Sequence, residues 1–196
     1  MYLYLKRILD IIFSFLALVL LSPLFLIIPL IIKLEDGGPV FYRGERLGKN
    51  GKVFKMYKFR SMKVNAPDIR NSDGSTFNSR NDPRVTKIGR FLRETSIDEI
   101  PQLINVLKGD MSIIGPRASM GDSLGTYSKD ELDKLKVRPG ITGYTQAYFR
   151  NTLSMREKRL KDVWYVNNIS FLLDVKIFLR TILIVFKKEG LYTNRE

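Results

Sequence analysis

The chain has 196 residues, 33 Lys/Arg against 20 Asp/Glu, a formal net charge of +13, and neither histidine nor cysteine. That length suffices for one domain with a sizeable core. The two absences exclude His/Cys zinc sites, Ser-His triads and cysteine nucleophiles, so catalysis would rest on carboxylates, lysines, tyrosines, hydroxyls or a hard metal ion held by oxygen. A cysteine-free chain is compatible with a reducing compartment. The charge is uneven: residues 42–93 carry fourteen Lys/Arg but only four acids, Glu45, Asp68, Asp73 and Asp82, and so hold +10 of the +13. Such a field favours anionic partners: nucleic acid, phosphorylated substrates or an anionic membrane surface.

Residues 11–32 contain no charged side chain. A helix of that length reaches roughly 33 Å, enough to cross a bilayer. It is too long for a signal peptide, and no small-residue cleavage site follows it. Ser22-Pro23 interrupts its middle and Pro29 follows. A proline inside a helix removes a backbone bond and clashes with the preceding turn. Two topologies result, a kinked span or a hairpin that enters and leaves by one face. Lys6 and Arg7 precede the run, and Lys33, Arg43 and Arg46 follow it. The positive-inside tendency places both flanks on the cytoplasmic side and favours the hairpin. Asp10, at the mouth of the run, reads as an interfacial charge. The chain thus divides into a membrane anchor, residues 1–34, and a domain, residues 35–196.

Gly37-Gly38-Pro39 ends the anchor. Residues 39–43 and 52–59, separated by Gly48-Lys49-Asn50-Gly51, alternate basic and apolar side chains and read as two strands with a turn. Residues 65–84, rich in Asn, Asp, Ser, Gly and Pro, read as a long loop. Residues 96–108 read as a helix, with Ser96 as its cap and Glu99 completing a capping box. Pro101 is tolerated only near a helix start, so Asp98-Glu99 falls in or beside the first turn, and Gly109 ends the helix. Ser112-Ile113-Ile114 is a short extended piece leading to Gly115-Pro116-Arg117. Arg138-Pro139-Gly140-Ile141-Thr142-Gly143 reads as a turn-rich strip. Residues 169–186 are mostly apolar but interrupted by Asp174, Lys176 and Arg180. They suit a core helix, or one lying at the interface with its cations snorkelling.

The acid pair Asp98-Glu99 has two readings. Acids near a helix N-terminus are ordinary caps, stabilised by the macrodipole. The same dipole favours both ionised forms, and an ionised carboxylate binds Mg2+ or acts as a nucleophile. With arginines to grip phosphate, carboxylate and Mg2+ suffice for phosphoryl chemistry without histidine. A non-catalytic, membrane-anchored binder of nucleic acid or anionic lipid would draw on the same basic block.

The segment Gly89-Arg90-Phe91-Leu92-Arg93 and the run from Ser96 through Asp98, Glu99, Pro101 and Gln102 to Gly115-Pro116-Arg117 resemble the bacterial sugar transferase family, the monotopic polyprenol-phosphate phosphoglycosyl transferases. Tyr57-Lys58-Phe59-Arg60-Ser61-Met62 and Val137-Arg138-Pro139-Gly140-Ile141-Thr142-Gly143 are similar to further family motifs. The resemblance covers essentially the whole chain, including the Ser-Pro break, and its size resembles the minimal catalytic form. It implies an α+β, mainly helical monotopic membrane protein with a re-entrant helix-break-helix at Ser22 and Pro23 and a small β-hairpin. It implies transfer of a sugar-1-phosphate from a UDP-sugar to undecaprenyl phosphate, releasing UMP. The catalytic domain would face the cytoplasm at the bacterial inner membrane, in the first membrane step of glycoconjugate or exopolysaccharide synthesis.

By the same resemblance Asp98 is the nucleophile that forms a covalent phosphosugar intermediate, and a ligand of the Mg2+ cofactor. Glu99 is its partner, assisting acceptor deprotonation or metal binding. Arg117 binds phosphate, and Lys58, Arg93, Arg138 and Arg150 are further candidates for phosphate, uridine or acceptor contacts. Membrane lipid, downstream glycosyltransferases and a homo-oligomer are partners that such an enzyme admits; nucleic acid is not. Two departures from the family pattern stand out. Ala118 follows Gly-Pro-Arg where proline is frequent, and Ala147-Tyr148-Phe149-Arg150-Asn151 replaces an Asn-Gly-Arg-like strip, which bears on sugar choice and on Arg150.

Overall fold

A computed structural model describes residues 1–71, 77–150 and 152–187. Asp73, Asn151 and the middle of the 65–84 loop lie outside the described residues. The architecture mixes helices with two small sheets. The first helix, α1 (Tyr2–Leu20), stops at the Ser22-Pro23 break, and α2 (Leu24–Asp36) leaves at a bend of 61°. Pro29 is accommodated inside α2, and Gly37 closes it in the left-handed conformation at φ 69°. Among the described residues no single helix is long and apolar enough to cross a membrane; the bent pair taken together meets that test by length and composition alone.

The first helix is amphipathic in an inverted sense. Lys6, Asp10 and Ser14, spaced four apart, form its buried stripe, while Leu5, Ile8, Ile12, Phe15 and Leu16 point outward. Asp10 is therefore no interfacial charge. Its carboxylate is 5% exposed and accepts a 3.0 Å bond from the Ile113 backbone N–H, which supplies the partner that burial demands.

The hairpin forms as expected. Strands β1 (Phe41–Leu47) and β2 (Val53–Phe59) pair antiparallel from Phe41↔Phe59 to Leu47↔Val53, and Asn50 (φ 56°) and Gly51 (φ 74°) make the left-handed turn between them. Beyond β2 the loop is held by a buried pair, Arg84–Asp82 at 2.7 Å, with Arg84 also donating to the Pro67 and Phe77 carbonyls. Helix α3 (Lys87–Glu94) follows, capped by the Thr86 hydroxyl.

The expected helix over 96–108 divides. Ser96 adopts the left-handed conformation, its hydroxyl caps nothing, and Ile97–Glu99 forms a 3-10 turn. The α-helix, α4 (Gln102–Lys108), begins only after Pro101 and ends at Gly109, φ 90°. The capping box is absent because the Glu99 carboxylate is taken by Lys58. Strand β3 (Ser112–Ile114) comes next, and β4 (Ser119–Met120) adds to the free edge of β1. The 138–143 strip is not merely a turn: β5 (Gly140–Thr142) pairs in parallel with β3, Ser112↔Gly140 and Ile114↔Thr142. Gly140 fits there because a Cβ would meet the Gly115 backbone nitrogen at 2.1 Å.

Three short helices complete the chain: α5 (Tyr144–Tyr148), α6 (Met155–Asn167) and α7 (Phe171–Phe186). The last has one buried and one exposed apolar face. Asp174, Ile177 and Ile184 are buried, whereas Phe171, Leu172, Phe178, Leu179, Leu183 and Phe186 are exposed. One core cluster joins Ile28 and Ile32 of α2 to Phe59 and Leu92; a second is built on Ile114, Ala147, Tyr165 and Ile177; a third is built on Met56, Val106 and Met111.

Candidate active site

The acid pair sits on the 3-10 turn between α3 and α4. Apolar neighbours Ile97 and Ile100 pack on the cluster of Ile28, Ile32, Phe59 and Leu92, which fixes the turn against both the hairpin and α2. Asp98 is 7% exposed, and among the described residues no side chain hydrogen-bonds its carboxylate. Glu99 is only partly buried and heavily partnered: the Lys58 ammonium donates to it at 2.5 Å and Gln102 hydrogen-bonds it as well.

Lys58 is aimed by Asn105. This wholly buried side chain of α4 accepts from the Tyr57 N–H (2.9 Å) and donates to the Lys55 carbonyl (2.9 Å), clamping β2 on both sides of Met56. Arg93 reaches in from the last turn of α3, its Nε donating to the Ser61 hydroxyl at 3.0 Å. Arg117 is exposed, but its backbone N–H donates to the buried Asp162 carboxylate (3.2 Å), which also takes Lys134 (2.9 Å) and the Thr145 hydroxyl (2.8 Å). The Gly-Pro-Arg turn is thus tied to α6.

These surroundings drive the two acids apart. Burial pushes the Asp98 carboxyl up, with the neighbouring charge of Glu99 adding and Lys58 and Arg93 opposing; its pKa lies at about 6. Burial would raise Glu99 too, but the charges of Lys58 and Arg117 and the hydrogen bonds from Lys58 and Gln102 outweigh it, so Glu99 stays below the usual carboxylate range. Such separation of two adjacent titrations is how paired carboxylates acquire different tasks. Near neutral pH, Asp98 is an ionised, poorly solvated carboxylate, a state in which an oxygen can act as a nucleophile, and Glu99 is a fixed anion. The dipole argument from the sequence, which favoured the charged form of both, fails for Asp98 because burial is the larger effect.

The structure brings Asp98, Glu99, Lys58, Arg93 and Arg117 into one electrostatic neighbourhood. It separates Arg138 from them: its Nε donates to the Gly109 carbonyl (2.7 Å), at the opposite end of α4 from the acids. Arg150 lies past the C-terminus of α5, in the left-handed region at φ 43°. Ser22 and Pro23 occupy the bend of the anchor. Gln102, Ser61 and Asn105 stand in the motifs but carry no site role in the sequence reading, and Asp162 stands in none of them. Asn105 carries a signal there, a lone amide inside the apolar run Leu103–Leu107; Asp162 carries none, lying in a helix of mixed charge.

Among the described residues no three acidic side chains converge. Mg2+ is commonly held by one or two carboxylates together with substrate phosphates, so the pair fits that ion in the presence of a diphosphate.

A family model described as bacterial sugar transferase matches residues 1–188. The chain is 40% identical to "Undecaprenyl-phosphate galactose phosphotransferase" of Salmonella typhimurium, over 96% of this chain and 42% of that protein. It is 42% identical to "UDP-glucose:undecaprenyl-phosphate glucose-1-phosphate transferase" of Escherichia coli, over 96% of this chain and 41% of that protein. It is 40% identical to "Exopolysaccharide production protein ExoY" of Rhizobium meliloti, over 95% of this chain and 88% of that protein. The chain therefore spans about two-fifths of the first two relatives and nearly all of the third. On this match, the chain belongs to the bacterial sugar transferase family.

Proposed function

We propose that the protein is a phosphoglycosyl transferase that moves a sugar-1-phosphate from a UDP-sugar to a polyprenol phosphate such as undecaprenyl phosphate, releasing UMP. The observation that carries this reading is the divided acid pair: a buried Asp98, without a side-chain hydrogen-bond partner among the described residues, beside a Glu99 held anionic, faced by Lys58, Arg93 and Arg117. The relatives' printed names agree with it.

In this mechanism an Asp98 oxygen attacks the β-phosphorus of the UDP-sugar. The P–O bond to the bridging oxygen breaks, UMP leaves with that electron pair, and Asp98 carries the sugar phosphate as an acyl phosphate. A phosphate oxygen of the acceptor then attacks the same phosphorus, and Asp98 departs as a carboxylate, giving the lipid diphosphosugar. Arg93 and Arg117 neutralise phosphate charge as it is passed along. Glu99, salt-bridged to Lys58, keeps that ammonium beside the nucleophile and stands ready to take an acceptor proton. Asp98, with substrate phosphate oxygens, would hold Mg2+, which when bound supplies further neutralisation of the diphosphate.

The bent pair α1–α2 is read as re-entrant, with residues 1–34 as anchor and residues 35–196 as a cytoplasmic interfacial domain. The outward apolar faces of α1 and α7 and the basic flanks support that reading.

Incubation with UDP-sugars, Mg2+ and undecaprenyl phosphate should release UMP, and UDP-sugar alone should leave a phosphosugar adduct visible in the intact mass. Asp98→Asn should abolish both signals. Substantial turnover by that variant would remove Asp98 from the nucleophile's role, and a panel of UDP-sugars identifies the donor.

A further inference from the structure

Away from the acid pair, at the C-terminal end of α4, a cleft of about 420 Å³ including its solvent-open mouth is lined by Lys6, Arg7, Lys49 and Arg138 with Asp10. Four cations from α1, the hairpin turn and the start of β5 converge on it, against one carboxylate. The charges are not equivalent. Lys6 is neutralised by Asp174 at 2.6 Å, and Asp10 is engaged by the Ile113 N–H. Arg7 donates to the Val106 and Leu107 carbonyls (2.6 and 3.0 Å), and Arg138 to that of Gly109 (2.7 Å). Those bonds position two guanidinium groups without neutralising either. Among the described residues no carboxylate lies within ion-pair distance of Arg7, Arg138 or Lys49.

Two guanidinium groups held side by side repel, and the Arg7 guanidinium is pulled below its usual range by burial and by the charge of Arg138, with Asp10 partly offsetting. An oxyanion accepting N–H bonds from both removes that repulsion, and phosphate matches the guanidinium fork in two-point geometry. The exposed ammonium of Lys49 adds a third cation at the mouth. Leu3 and Ile169 give the cleft apolar walls, and Leu3 begins the outward apolar face of α1. The site therefore opens where the anchor begins, a position at which basic pockets hold lipid phosphates.

We propose that this cleft is a second anion site, binding a phosphate group carried either by an anionic phospholipid headgroup or by a free phosphate. Bound there, the phosphate bridges α1 to Arg138 and to the C-terminus of α4, whose other end leads back to the acid pair. The lipid source rests on the re-entrant anchor reading; the free anion does not.

The test uses the full chain in nanodiscs of phosphatidylglycerol and phosphatidylcholine, with native mass spectrometry for retained lipid, and thermal shift with inorganic phosphate in detergent. Wild type should retain phosphatidylglycerol over phosphatidylcholine, or be stabilised by phosphate; the first result assigns the headgroup, the second the free anion. Arg138→Gln should weaken the signal about ten-fold and Lys49→Ala about three-fold. Lys49 is exposed, so its variant keeps the test decisive if Arg138→Gln does not fold. Identical lipid retention and phosphate shift in wild type and Lys49→Ala overturn the site. Sedimentation with vesicles scores the anchor separately: a chain that stays in the supernatant yet shows the Lys49-dependent phosphate shift defeats the anchor reading and keeps this one.

Discussion

Asp98→Asn is expected to inactivate the enzyme while making the folded protein more stable. The Asp98 carboxyl has its folded pKa at about 6, against an ordinary value of 3.8. Below about pH 4 the group is protonated whether the chain is folded or not, and burial exacts nothing. As pH rises from about 4 through 6, the unfolded chain ionises first, so the folded state loses stability across that window. The gap of about two pK units corresponds to about 3 kcal/mol, fully felt at pH 8. Asparagine fills the same volume without the charge and escapes the loss. For a chain of this length that is a rise in Tm of about 6–12 °C. Thermal denaturation in detergent, followed through Trp164 fluorescence, reads the difference between wild type and variant at pH 8 and pH 5. The advantage should fall to about half at pH 5, where folded Asp98 is mostly protonated. An asparagine variant less stable than wild type at pH 8 would refute the reasoning, since it would mean that Lys58 and Arg93 more than offset the desolvation of the charged form.

The acid pair also sets the pH profile. The kcat/KM of wild type should fall with decreasing pH through about 6, as Asp98 takes a proton. Lys58→Gln removes a charge that lowers the Asp98 pKa, so the acid limb moves up; Glu99→Gln removes one that raises it, so the limb moves down, and shifts in the same direction would contradict the electrostatic assignment. Asn105→Ala strands the Tyr57 N–H and Lys55 carbonyl in the interior, a loss of about 1–3 kcal/mol in denaturant titrations. Because Asn105 sets the position of Lys58, its acid limb should shift in the Lys58→Gln direction, which a purely structural loss would not produce. Topology is tested by single cysteines in this cysteine-free chain: Tyr4→Cys and Lys129→Cys, both at exposed positions, should react with a membrane-impermeant maleimide from the same side of a sealed vesicle. Labelling from opposite sides establishes a kinked span.

Much of the architecture is written in local chemistry. The break at Ser22-Pro23, the stop at Gly37, the hairpin around Asn50-Gly51 and the end of α4 at Gly109 each follow from what one or two residues can adopt. What is not legible depends on distant partners. Ser96 has the residue type and spacing of a cap, yet Glu99 is drawn away by Lys58, 41 positions earlier, and the turn tightens into 3-10 form. Asp10 has the look of an interfacial charge until Ile113, 103 positions later, supplies its N–H. Gly140–Thr142 is too short to signal a strand alone, and becomes one because β3 offers a parallel edge. The site divides along the same line. The acid pair, Lys58, Arg93 and Arg117 stand in motifs visible from sequence; Gln102 and Asn105 stand in the same run, but their roles, like that of Asp162, are defined only by the partners the fold brings to them.

The bent pair α1–α2 is joined to the elements that flank the acid pair. From α1, Arg7 holds the last carbonyls of α4, and Asp10 holds the N–H of Ile113 in β3. From α2, Asp36 pairs with Arg60, the Glu35 carboxylate accepts from the Lys87 and Ile88 N–H groups at the start of α3, and Ile28 and Ile32 pack against Phe59 and Leu92. Both halves of the bent pair thus grip elements that flank the acid pair: α1 grips the helix after it, and α2 grips the strand and helix before it. In α1 the buried stripe of Lys6, Asp10 and Ser14 lets the helix offer its apolar face outward, while Arg7 and Asp10 tie it to the C-terminal end of α4 and to β3, away from the acid pair.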